Sequence, residues 1–131
     1  MPAPPPAHDR TPLAWAQAVR TAGLAPALAR AGVTLCVHAA PLHGPHRTVR
    51  GAWDPLLRRI DLFDAAGRTD AEMLRTLGHE LAHALGYADE IAAVAFAAAW
   101  VAALGPDGEA QCAAALRAMT RSGARETGIG Q

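Results

Sequence analysis

Two histidines four residues apart, with a glutamate directly after the first, are the residues of this chain best suited to chemistry: His79-Glu80-Leu81-Ala82-His83. Side chains four apart on a helix stand one above the other on the same face. Two imidazoles so placed can take adjacent corners of a zinc tetrahedron. Glu80 then flanks the metal without ligating it, where it can accept a proton from a zinc-bound water and pass it to a leaving amine. Zinc brings the pKa of such a water down to about 7, which makes hydroxide available at neutral pH. Bland surface histidines of an ordinary helix are the competing reading, and the specificity of the five-residue motif in a helical setting argues against it.

The elements around the motif are expected to present it. Thr69-Asp70-Ala71-Glu72 is a capping box that opens a helix. Leu74, Leu77, Leu81 and Leu85 form one apolar stripe along that helix, on the face away from the histidines. Gly86 is placed to end it in the left-handed conformation. Gly78 removes side-chain bulk where an edge strand or substrate is expected to approach.

Upstream, Thr11-Pro12 reads as an N-cap with proline at the first helical position. That helix is expected to run to Arg30, with a kink or break near Pro26 and a stop at Gly32. Alternation over residues 33–38 predicts a half-buried strand. Residues 40–46 read as a loop, 48–53 and 58–63 as two more strands, with a turn at Asp54-Pro55. Beyond the motif, helices are expected over 90–104 and 108–121, separated by Gly105-Pro106. Helix, three strands and three helices make an α+β domain over residues 11–121. A disordered proline-rich stretch (1–10) and a flexible polar tail (122–131) are expected to flank it.

A catalytic zinc needs a third protein ligand and an open position. Asp89 and Glu90 stand side by side as candidates. His79-Glu80-x-x-His83-x-x-Gly86-x-x-Asp89 resembles the elongated motif of metzincins, in the aspartate-bearing form of snapalysin-type enzymes. That resemblance implies that the glycine turns the chain so that Asp89 reaches the metal. Glu90-x-x-Ala93, with Phe96-Ala97 beyond, resembles the glutamate-bearing second helix of gluzincins, including the compact ImmA/IrrE type. That one implies Glu90 as the ligand, with small residues Ala92, Ala93 and Ala97 letting two helices pack closely. No methionine turn follows Asp89, and Val94 stands where gluzincins usually carry Asp or Asn. Strand–helix–helix order favours Glu90. The resemblance spans roughly residues 33–104 and implies a minimal zincin-like fold, one Zn2+ and hydrolysis of peptide bonds.

Other residues have weaker claims. Tyr87 beside the ligands is a candidate to steady an oxyanion or simply to pack. His38, His43 and His46 read as structural or solvated. Trp53, Trp100 and Phe63 read as core. Cys36 and Cys112 are too few for a disulfide framework and read as buried free thiols. Together with an N-terminus lacking signal-peptide features, they predict a reducing, cytoplasmic setting.

Lys and Arg total 12, as do Asp and Glu, so no net field points to nucleic acid or an anionic membrane. The longest apolar run, 91–104, has 14 residues, short of the roughly 20 of a membrane span. The expected partner is a peptide or protein substrate laid along the edge strand nearest the cleft, read as residues 48–53. A chain of this size leaves little room for elaborate subsites, which points to a narrow protein substrate. The alternative function is a non-catalytic, zinc-stabilised interaction domain; Glu80 is the residue such a domain would not need.

Overall fold

The computed structural model describes residues 10–121; all of the expected N-terminal stretch but Arg10, and the 122–131 tail, lie outside them. The Thr11 hydroxyl accepts from the Ala14 amide at 3.1 Å, and Pro12 opens α1 (Pro12–Ala22). The break falls at Gly23 (φ 97°), not at Pro26. Pro26 sits in the first turn of α2 (Leu24–Arg30), where a missing N–H sacrifices no helical bond.

Six strands follow: β1 (Thr34–His38), β2 (Leu42–His43), β3 (Thr48–Val49), β4 (Gly51–Asp54), β5 (Arg59–Leu62) and, after the last helix, β6 (Thr120–Arg121). The expected three-stranded sheet is four-stranded, in the order β4-β5-β1-β6. β1 runs parallel to β5 and β6, while β4 pairs antiparallel with β5, Gly51 opposite Leu62. The strand expected over 48–53 is divided at Arg50: its first part pairs with β2 in a separate hairpin, within the expected 40–46 loop, and its second joins the main sheet as an edge. At the Asp54 turn the carboxylate accepts from the Leu56 and Leu57 amides, the local bonding that suits Asp to turns.

α3 (Asp70–Ala84) starts with the expected capping box: Glu72 N–H donates to the Thr69 hydroxyl, and Thr69 N–H to the Glu72 carboxylate. α4 (Glu90–Met119) is one element by its hydrogen bonding, yet Gly105 inside it is non-helical at φ 70° and ψ 172°. Proline disfavours the helical region for the residue before it, and Gly105 precedes Pro106. The last two residues expected to be helical form β6 instead, because the Val37 and His38 backbone needs a partner on that side.

One hydrophobic cluster joins these elements. Val37, Ile60 and Leu62 of the sheet meet Leu74, Leu77 and Leu81 of α3, with Trp100 of α4 against them. Burying a side chain of this size contributes about 1.5–3 kcal/mol, and that burial turns the opposite face of α3 outward. By composition and length α4 also suits a membrane, with mean hydropathy 1.5 over 18 residues; in this fold its Phe96, Trp100 and Leu104 are core. Trp53 and Phe63, expected in the core, are only half-buried, and so is Cys36; Trp100 and Cys112 are buried as expected.

Candidate metal centre

The site begins with how α3 ends. Gly86 N–H donates to the His83 carbonyl and Tyr87 N–H to the Ala82 carbonyl, the paired bonds of a Schellman turn, with Gly86 at φ 103°. That turn brings the Tyr87 carbonyl onto His83, whose Nδ1 donates to it at 2.7 Å. A carbonyl only accepts, so the Nδ1 proton is located, and Nε2 of the neutral ring carries its lone pair outward.

His83 Nε2 and His79 Nε2 lie 3.3 Å apart. A tetrahedron with bonds of about 2.0–2.1 Å has edges of roughly 3.3 Å, so the two nitrogens are spaced as zinc ligands. The Glu90 carboxylate closes the third side, at 2.9 Å from His79 Nε2 and 2.7 Å from His83 Nε2. These three ligand atoms all fall within 4.8 Å of one another. Two imidazole nitrogens and a carboxylate converging at these distances are compatible with a bound metal ion.

Asp89 is elsewhere. Its carboxylate accepts from the Ala92 amide at 3.2 Å and caps α4. The N-cap residue must keep its oxygen over the helix end, while the first-turn Glu90 is free to swing towards α3. Of the two adjacent acids, the structure brings Glu90 to the histidines.

Glu80 sits against β4: a Cβ on Gly51 would meet Glu80 Cγ at 3.2 Å and Thr76 Cγ2 at 2.7 Å. Burial pushes the Glu80 carboxyl above its ordinary range; His79 and His83 pull it down and Glu90 pushes it up. Close approach of a strand to α3 therefore depends on Gly51, a residue the sequence reading passed over. Gly78 serves another purpose than expected. A Cβ there would lie 2.9 Å from Ala97 Cα and 3.0 Å from the Trp100 ring, so its bareness lets α4 pack on α3.

Several residues lie outside the cluster. Tyr87 donates its hydroxyl to the Arg10 carbonyl at 2.8 Å and tilts against Phe96, the packing role. His38 donates to Asp61 at 2.8 Å and stacks on Phe63. His43 bonds Thr48 at 3.4 Å in the hairpin, and His46 is exposed.

Around the cluster lies an open cleft of about 1340 Å³ walled by β4 and α4, with His79, Glu80 and His83 in its lining. Trp53 lines it, with the Arg58 guanidinium 5.4 Å from the ring centre. So do Arg47, Arg50 and Arg75, which no sequence motif singles out.

No protein-family model, no curated protein and no solved structure matches this chain.

Proposed function

We propose that this protein is a zinc-dependent hydrolase of peptide bonds, a minimal zincin-like enzyme with His79, His83 and Glu90 as zinc ligands. The observation that carries the reading is the Glu90 carboxylate bridging both Nε2 atoms beside the half-buried Glu80, which follows His79 on the helix of the two histidines. A zinc ion held there supplies Lewis acidity, polarising water and a peptide carbonyl. Glu80, its carboxyl raised above its ordinary range by burial, accepts the proton of the attacking water and delivers it to the departing amine. The Tyr87 carbonyl keeps His83 in the tautomer that presents Nε2. The part played by Glu90, with Asp89 occupied as a cap, favours the gluzincin resemblance over the metzincin one.

β4 offers the surface on which an extended substrate can lie. The Arg50 carbonyl accepts from Phe63 N–H towards β5; backbone direction alternates along an antiparallel strand, so Gly51 and Trp53 turn their N–H and C=O outward. Those two are the β4 residues that line the cleft. Main-chain pairing with them would align a peptide by β-augmentation, and an open cleft of this volume supports a protein segment over a small amide.

Elemental analysis and a peptidase assay on the full chain test the proposal. One zinc per chain is expected in the wild type and in Asp89→Ala, and little in His79→Ala or Glu90→Ala. Glu80→Gln is expected to retain zinc while turnover falls at least about a hundredfold, the weight of a general base. Equal turnover in Glu80→Gln overturns the mechanism, and full zinc in Glu90→Ala overturns the ligand set. Bound zinc with no turnover by the wild type assigns the chain to the non-catalytic alternative.

A further inference from the structure

Arg47 in the β2–β3 turn, Arg50 between β3 and β4, and Arg75 on α3 line the cleft and are exposed. None of the three guanidiniums has a hydrogen bond or ion pair with another described residue. Arg68 adds to the positive character of this side. Its guanidinium is spent on the carbonyls of Arg50, Phe63 and Glu72, and burial, then the charge of Arg50, lower its proton affinity. The acids lining the cleft are Glu80 and Glu90. Three guanidiniums against two carboxylates leave the cleft lining positive, and a divalent ion held at the cluster would raise that charge further. The facing wall, Val94, Ala97 and Ala98 of α4, carries no charge.

Position along the cleft follows from the helix. Arg75 is four residues before His79, about 6 Å by helical rise, the length of roughly two extended residues. The geometry points to an acidic, extended peptide segment as the substrate, with Asp or Glu side chains within about two residues of the cleaved bond paired to Arg47, Arg50 and Arg75. Cleavage of such a segment rests on the hydrolase reading above; its binding rests on the charge of the cleft alone.

The probes are short labelled peptides, identical but for paired Glu, Gln or Lys residues flanking a central alanine pair. Binding is read by fluorescence anisotropy on the zinc-loaded Glu80→Gln chain, and cleavage by kcat/KM on the wild type. The Glu peptide is expected to bind about tenfold tighter than the Lys peptide at low salt, a factor of about two for each exposed pair. High salt should erase most of that preference. Replacing Arg47, Arg50 and Arg75 together by Gln should bring the ratio to within about twofold of unity, with zinc content unchanged. Arg75→Gln alone should halve it, which keeps the outcome readable if the triple variant is unstable. Equal binding of the three peptides overturns the assignment, as does a preference that survives the triple substitution. Displacement of the Glu peptide by an equimolar single-stranded oligonucleotide would assign the arginines to nucleic acid instead. Acidic preference without cleavage sinks the hydrolase reading and leaves this one standing; cleavage indifferent to charge does the reverse.

Discussion

His83 owes its orientation to a main-chain atom, the Tyr87 carbonyl, while the Tyr87 phenol bonds Arg10. Removing the phenol oxygen should therefore leave the His79–His83–Glu90 cluster intact. Tyr87→Phe is expected to keep its zinc and its turnover within about twofold, and to lose roughly 1 kcal/mol of stability with the hydroxyl bond. A hundredfold fall in kcat at unchanged zinc content would instead place the hydroxyl in the chemistry. The bare Gly78 is a second residue whose worth lies in what touches it. Gly78→Ala presses a methyl against Ala97 backbone at 2.9 Å, and overpacking of this kind costs about 1–3 kcal/mol. Urea denaturation showing less than half a kcal/mol would mean that α4 slides away at little cost.

α3 is the element that joins core to site, and its first turn is secured by side chains. Thr69→Ala removes the hydroxyl that receives the Glu72 amide, at a cost of about 1 kcal/mol. The reciprocal bond makes that cap pH-dependent. The Thr69 backbone amide, then its hydroxyl, hold the Glu72 carboxyl below its ordinary range. A carboxyl lowered by folding adds stability above its unfolded pKa, about 4.3, and that stability disappears as pH falls through the lower folded value. Glu72→Gln keeps an acceptor without the titration, so its denaturation midpoint should fall less than that of wild type between pH 6 and about 3.5. Parallel loss in both proteins would assign the acid sensitivity elsewhere.

For the molecule as a whole, the cluster ties the C-terminal end of α3 to the start of α4 across the Gly86 turn. A ligand that binds only the folded state stabilises it by about 2.7 kcal/mol at a hundred times its dissociation constant. Chelation should accordingly lower the Tm by roughly 10 °C for a domain of this size, and added zinc should restore it. A Tm indifferent to chelator and zinc would show that the cluster holds no ion that matters to the fold.

Helix caps, the leucine stripe of α3 and the pairing of His79 with His83 were legible in the sequence because each depends on residues within one or two helical turns. So was the α+β class, from the change of apolar period along the chain. Local signals did not reveal β6, the division of the 48–53 segment at Arg50, or the true neighbour of Gly78. Each of these depends on backbone partners far along the chain: β1 for β6, β2 and β5 for the divided strand, and Ala97 for Gly78. The choice between Asp89 and Glu90 was of the same kind. Both acids are adjacent in the chain, and only the direction in which α4 leaves the Gly86 turn decides which one caps the helix and which one meets the two imidazoles.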